Sequence, residues 1–446
     1  MPLPPAALTA EELLVLLLQL GLLLLLALLL GRLAVRLGLP AVAGELCVGV
    51  FLGPTLLGQI APDLSGWLMP QDAHQFHLLD SIGQLGVLLL VGITGIEVDL
   101  GLVRRRRGTA LSVGLGGLVI PLLLGVGVGF LVPGWLIPDG TSPVVFALFL
   151  GVAMCVSAIP VIARTLMDLN LLHRNVGQLT LAAATIDDVF GWFMLSIVSA
   201  MAASGVRAGN VLLALFYLGM LVVLAWWVGR PVVRAVLRRA SRFTESGPTI
   251  TSVTVIVLLS AAGAHALGLE AVFGAFVGGI LVGSSGAVDL ARLAPLRTVV
   301  MAVLAPLFFA TAGLRLDLTT LWDPVILLMA VVALVIAVVG KFAGVFIGAR
   351  LGGLDRWESL AVGAGLNARG VIQIVVATVG LRLGVLNTAT YTIIILVAIV
   401  TSLMAAPVLK ATMRRVEHTE EEELRRRERA AFTDAGVPQP GSSSAT

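Results

Sequence analysis

Charge is scarce in this 446-residue chain. Lys, Arg, Asp and Glu make up only 12% of it, against about 25% in an ordinary soluble domain. Hydrophobic residues make up 58%, and the mean hydropathy is +1.04. Together these values exclude a soluble globular protein and indicate an all-α integral membrane protein. Cysteine is equally sparse. Cys47 and Cys155 both fall inside apolar runs, where they read as small hydrophobes rather than a disulfide or a metal site. The connections between the runs hold no glycine-rich phosphate loop, which argues against ATP hydrolysis, and the tail at 413–446 is too short for a nucleotide-binding domain. A net charge of +3 gives no footprint for nucleic acid, because the basic residues sit in loops between apolar segments. Neither an enzyme nor a cofactor is expected.

Apolar runs dominate what remains. Thirteen are long enough to be candidate bilayer spans. They cover roughly 12–31, 40–58, 82–103, 109–132, 143–163, 176–200, 210–229, 248–267, 270–286, 298–314, 324–349, 358–380 and 388–409. Fifty glycines suit close helix packing in lipid. Met1 to Glu12 contains no Lys or Arg, so the first run lacks the basic flank of a signal peptide and reads as a retained helix. Residues 1–412 form the transmembrane part. Residues 413–446 form a cytoplasmic tail in which acids precede bases, followed by a Pro/Gly/Ser-rich end expected to be disordered.

The basic residues set an orientation. With the N-terminus outside, 24 of the 29 Lys and Arg fall on the inner side and 3 on the outer side. This is a strong positive-inside bias in a cell membrane, with the C-terminus in the cytoplasm. The remaining two, Lys341 and Arg369, lie within spans.

An internal repeat is also legible. Leu39 to Gly53 aligns with Leu269 to Gly283 at an offset of 230, and Gly95 to Leu100 aligns with Gly313 to Leu318 at an offset of 218. Each match pairs a span with the one seven places later. An odd shift reverses direction, so the halves at roughly 12–200 and 248–409 are inverted repeats flanking a linker helix at 210–229. Such repeats mark secondary transporters, whose sites lie at interrupted helices near the bilayer midplane. The fifth span carries Cys155-Val-Ser-Ala-Ile-Pro160, and its repeat mate carries Gly363-Ala-Gly-Leu-Asn-Ala-Arg-Gly370. Proline and glycine at these matched positions break both helices.

Asp187 and Asp188 stand side by side in the sixth span. A carboxylate at the bilayer centre costs about 2.5–3.5 kcal/mol even on insertion-based scales. The pair therefore needs a cavity, a buried cation or shared protons, each of which points to ion handling. Adjacent helical residues point about 100° apart. Asp188 is thus expected to face a cavity and take a monovalent cation, while Asp187 faces Lys341. The backbone at Val156, the Ser157 hydroxyl and water would complete the cation's oxygens. Pro160 and Asn367 support the breaks. Glu45 and Arg369 read as structural support, Arg369 because a permanent charge in a span must pair or bond to carbonyls.

These residues resemble the monovalent cation:proton antiporters of the second family, which include NapA-type sodium/proton antiporters and Kef/CHX-like membrane domains. The resemblance covers about 1–410. It rests on Val42-Ala-Gly-Glu45 running to Gly53-Pro54, the Asp187-Asp188 pair, Gly340-Lys341 and Gly365-Leu-Asn-Ala-Arg-Gly370. Family members usually carry Pro where Ala368 stands. Ser157-Ala-Ile-Pro-Val-Ile-Ala-Arg164 looks like the potassium/proton members, which usually have Asn-Asp in place of Asp-Asp, so Na⁺, K⁺ and Li⁺ all stay open. The resemblance implies two crossed broken helices, a homodimer with a dimer domain and a mobile core domain, and elevator-type exchange of the cation for protons, electrogenic through the two acids.

Three rivals share parts of the pattern. A channel could use the same acids but needs no proton-binding pair. An intramembrane aspartyl protease needs acids on two helices, and here both are on one. An organic-anion transporter of related fold would want more cationic groups at the breaks than Arg369. The orientation itself is open to a direct check. A cysteine placed at Ser204 is expected to react with an impermeant label from outside, and one at Ser241 only from inside. Reversed labelling would overturn the assignment.

Overall fold

The computed structural model describes residues 9–37, 39–69, 73–98, 107–205, 208–243, 245–287, 289–417, 419 and 422. Every extended element among them is helical. The first half contains α1 (Ala10–Arg36), α2 (Ala41–Leu52), α3 (Ala73–Ile96), α4 (Arg107–Leu131), α5 (Pro143–Cys155), α6 (Ile159–Asp168) and α7 (Asn175–Ser204). A connection of α8 (Ala208–Leu224), one π-helical turn and α9 (Arg230–Ala240) follows. The second half contains α10 (Gly247–Ala266), α11 (Ala271–Ser284), α12 (Ala305–Gly313), α13 (Pro324–Leu351), α14 (Arg356–Leu366), α15 (Val371–Arg382) and α16 (Thr388–Met413).

Local sequence explains several of these boundaries. Thr9 and Glu12 form a reciprocal capping box at the start of α1, and Asp355 with Glu358 does the same for α14. Pro160 sits in the first turn of α6, where a missing N–H costs no helical bond. Asn387 caps α16.

Among the described residues, eleven helical stretches are long and apolar enough to cross a bilayer, and α14 with α15 makes a twelfth that bends by 46° at its break. The run expected at 270–286 forms α11, an apolar helix of only 14 residues. Arg104 to Arg106, Arg207 and the tail from residue 423 lie outside the described residues, as do Asp99 and Leu100 of the repeat.

The helices pack as two bundles. One holds α1, α2, α3, α10, α11 and α12, and the other holds α4 to α7 with α13 to α16. The glycines that carry the sequence repeat are contact points inside the first bundle. Gly49 of α2 lies against Gly313 of α12, and a Cβ at Gly313 would sit 3.1 Å from the Gly49 Cα. Gly279 of α11 lies against Gly95 of α3, and a Cβ at Gly95 would sit 3.1 Å from the Gly279 Cα. Each crossing joins a helix of the first half to one of the second, and both exchange the same kind of contact.

Polar contacts between the bundles gather at one end among the described residues. There Glu270 pairs with Arg382 at 2.9 Å, the Tyr391 hydroxyl donates to the Ala312 carbonyl at 2.7 Å, and the Glu270 N–H donates to Ser196 Oγ at 3.2 Å. The Trp192 and Phe276 rings touch across the same seam, with centroids 6.1 Å apart. At the other end, where Arg32 and Arg36 lie, the bundles part around a cavity of about 490 Å³.

Backbone lies directly behind each glycine Cα at the two crossings, so no side chain can rotate away to make room. Gly49→Ala and Gly279→Ala are each expected to cost about 1–3 kcal/mol through overpacking. Thermal melting in detergent measures this. Unchanged melting of both variants would show that the helices separate there without penalty.

Candidate functional site

The second bundle is organised by its two breaks. Between α5 and α6 the chain is extended over Val156, Ser157 and Ala158, and between α14 and α15 it is interrupted over Asn367 to Gly370. The gaps touch: the Ala158 N–H donates to the Ala368 carbonyl at 3.2 Å. A helix ending inside a protein leaves its last carbonyls without intrahelical partners. Two cations and a hydroxyl take up several of them here. Lys341 Nζ donates to the Cys155 carbonyl at 2.8 Å, and Arg369 Nη1 donates to the Ala153 carbonyl at 2.9 Å. Ser157 Oγ lies 2.7 Å from the Leu366 carbonyl, at the end of α14. Positive charge at helix C-termini is also favoured by the backbone dipoles.

Lys341 spends all three of its donors. It reaches Asp187 Oδ2 at 2.5 Å, the Cys155 carbonyl, and the Gly117 carbonyl of α4 at 3.0 Å. Both members of the ion pair are fully buried. Asp187 Oδ2 also lies 2.6 Å from Ser157 Oγ. Arg369 is fully buried too. Its Nη2 donates to the Ala337 carbonyl at 3.0 Å, and its own carbonyl accepts from the Ser402 hydroxyl. Lys341 and Arg369 thus clamp α4, α5 and α13 around the break.

Four buried side-chain oxygens at this crossing are short of partners. They are Asp187 Oδ1, the two carboxylate oxygens of Asp188, which have the Ile159 backbone N–H beside them and no side-chain donor, and Asn367 Oδ1. An unpartnered buried oxygen is expensive, and an ionised one far more so. A proton or a small cation relieves that cost, so the arrangement suits a site that binds one or the other. No group of three or more His, Cys, Asp or Glu able to hold a resident metal occurs among the described residues.

The sequence expectations fall out unevenly. Asp187, Asp188, Lys341, Ser157, Val156, Asn367 and Arg369 converge on the crossing, with Pro160 in the adjoining first turn of α6. Ser157, expected as a free cation ligand, is already engaged by Asp187 and Leu366. Asp188, expected to face a cavity, has no exposed surface. The 490 Å³ cavity instead stops at Pro160, Val161 and Val371. Glu45 stands apart from the breaks altogether. It belongs to α2 in the other bundle and lines that cavity, with Arg164 of α6 lining it from the second bundle. Its place is in the approach to the crossing, not in the scaffold of the breaks. The carbonyls of Gly117, Ala153, Cys155 and Ala337 carry no sequence signature, since any residue supplies one. Ser402 was also silent, as an ordinary hydroxyl in an apolar helix.

Comparison with known proteins agrees with this geometry. Residues 21–415 match the sodium/hydrogen exchanger transmembrane family. The chain is 32% identical to the Na(+)/H(+) antiporter NhaS4 of Synechocystis sp. over 392 residues, 86% of this chain and 93% of that protein. It is 30% identical to the Na(+)/H(+)-K(+) antiporter GerN of Bacillus cereus, over 88% of this chain and 95% of that protein. Arabidopsis thaliana cation/H(+) antiporters also match, and the chain spans less than half of their length. The solved structure of the sodium proton antiporter MjNhaP1 from Methanocaldococcus jannaschii superposes with a TM-score of 0.66. It covers 90% of this chain and 97% of that one at 16% identity, a likeness of fold.

Removing the Lys341 ammonium leaves Asp187 buried without its cation. Lys341→Gln is therefore expected to lose about 3–5 kcal/mol of stability. Lys341→Gln with Asp187→Asn should recover a large part, since no uncompensated charge remains. Recovery will be incomplete, because the Gly117 and Cys155 carbonyls also lose a donor. Melting of the four forms at fixed pH and salt tests the coupling, and strictly additive losses would show that the pair contributes nothing.

Proposed function

The chain belongs to the sodium/hydrogen exchanger family, and we propose that it exchanges a monovalent cation, Na⁺ first, for protons at the Asp187–Asp188 crossing. One observation carries the reading: Asp188 is a fully buried carboxylate with no side-chain partner, approached only by the Ile159 backbone N–H at the start of α6, one residue from an aspartate held by a buried lysine. A cation and protons relieve the same under-bonded oxygens, so they compete. A site that holds either but not both, presented alternately to two sides, is an exchanger. In this reading Asp188, Asp187 and Asn367 supply oxygens to the cation, and Asp187 takes a proton when it leaves Lys341. Two titrating acids allow two protons per cation, which makes the exchange electrogenic.

Alternating access is supported by the seam between the bundles. One end is joined by Glu270–Arg382 and Tyr391–Ala312, while the other opens into the cavity lined by Glu45 and Arg164. With the basic end in the cytoplasm and the N-terminus outside, this is an inward-facing arrangement in a cell membrane. The second bundle would then slide as an elevator against the first, which would be held still by pairing with a second copy in a homodimer. Residues 1–412 would form the exchange domain, with inverted repeats at 12–200 and 248–409. Transport of K⁺ or Li⁺ has a specific argument as well. Ser157 to Arg164 follows the potassium-type pattern, and one relative's name includes K(+).

Purified protein in liposomes with an internal pH dye tests the proposal. Na⁺, Li⁺ and K⁺ are supplied in turn, and Na⁺ is expected to drive proton movement. Asp188→Asn, which neither titrates nor balances a cation, is expected to abolish the signal while melting like the parent protein. Cation-driven proton flux through Asp188→Asn would sink the assignment.

A further inference from the structure

The last turns of α16 do not simply end in solvent. They form one wall of a pocket of about 330 Å³ whose other wall is the loop between α6 and α7. Lys410 and Arg414 enter from α16, and His173 and Arg174 from the loop. Asn170 completes the polar lining, over an apolar floor of Leu169, Leu171 and Met413. Among the described residues, no acidic side chain lines it. The volume lies within the range of small-ligand sites, about 300–1,000 Å³.

One wall is fixed by an unusual strap. Past α16 the chain turns back, and Glu422 pairs with Arg174 at 3.0 Å with both side chains almost fully buried. Glu422 Oε1 also accepts the Asn175 N–H at 2.6 Å, which caps α7, a helix whose own N-cap residue offers no side-chain bond. Arg174 Nη2 reaches the Glu417 carbonyl at 2.9 Å. Burial alone would push the Glu422 carboxyl up, but the N–H groups of Asn175 and Thr419 and the Arg174 guanidinium outweigh it and hold the group below its ordinary value. Arg174 is therefore neutralised by an ionised partner and locked in place. Lys410 and Arg414 bring the pocket's remaining full positive charges.

We propose that this pocket binds a phosphate-bearing anion, with Lys410 and Arg414 as its principal contacts. Two cations converging over an apolar floor, with no carboxylate among the described lining residues, match a compact dianion or diester better than a neutral or cationic ligand. The pocket's place at the basic end of the spans is where an anionic lipid headgroup would sit. Free inorganic phosphate offers the same chemistry from solution. Both sources would tie the end of α16 to the N-terminus of α7, the helix that carries Asp187 and Asp188. Unlike the crossing, this site requires nothing of the transport reading.

Melting of the full-length protein in neutral detergent tests it with three additions: phosphatidylglycerol, phosphatidylcholine, and inorganic phosphate at matched ionic strength. Phosphatidylglycerol is expected to raise the melting temperature and phosphatidylcholine not to. The double variant Lys410→Gln with Arg414→Gln should lose more than half of that rise. Arg238→Gln with Arg239→Gln, an equal charge change on α9, should keep it. Protection by phosphate alone, lost in the same variant, would support the site and make its ligand soluble. Equal protection of the parent and both double variants would overturn the site as mere surface charge. So would equal loss in both variants, or no protection by any addition.

Discussion

A lysine ammonium and an aspartate carboxylate 2.5 Å apart, with no water-accessible surface, are the constraint from which the second bundle follows. Taking both ions out of water costs several kcal/mol each, and their attraction offsets this only when the remaining donors and acceptors are also filled. Filling them dictates the architecture. Lys341 needs three acceptors, and two of them are backbone carbonyls that α4 and the broken end of α5 provide. The helix break is thus no defect that the protein tolerates. It supplies oxygens that an unbroken helix would have used internally. Arg369 repeats the arrangement with Ala153 and Ala337. Between them the two cations hold three helices at fixed distances around Asp188.

The first bundle has the opposite character. Among its described residues no ion pair is fully buried, and its helices meet through glycine at backbone contact. Such packing is rigid because it has no side-chain slack. The second bundle is instead held internally by the Lys341–Asp187 pair and the Arg369 contacts. The seam shared by the two bundles combines apolar packing, such as Trp192 on Phe276, with polar contacts at the end that carries Glu270 and Arg382.

Much of this was legible in the sequence, for reasons that can be named. Asp187, Asp188, Lys341 and Arg369 stand out because charge inside an apolar run is costly, and the sequence shows the cost directly. The breaks stand out because proline and glycine act locally. The glycine repeat is visible because backbone contact tolerates nothing larger. What stayed hidden depends on tertiary geometry. Glu45 is the same kind of signal as Arg369, yet it faces a cavity in the other bundle, and nothing local says which way it turns. Glu422 looks like one more acid in a charged tail, but it caps a helix that begins 247 residues earlier. The α11 run reads as long as its neighbours, although the helix within it has only 14 residues.

The position of Ser157 has a consequence in proton counting. Its hydroxyl has a single hydrogen, yet it lies within bonding distance of two acceptors, Asp187 Oδ2 and the Leu366 carbonyl. While Asp187 is ionised, only one of these can receive that hydrogen, and one acceptor goes short. When Asp187 gains a proton it can donate to Ser157, which then turns its own hydrogen to Leu366, and both contacts close. The parity of hydrogens at this one hydroxyl therefore differs between the two protonation states of its neighbour. One hydroxyl thus links the carboxylate of α7 to the backbone end of α14, and its single hydrogen serves both acceptors fully only when Asp187 carries a proton of its own.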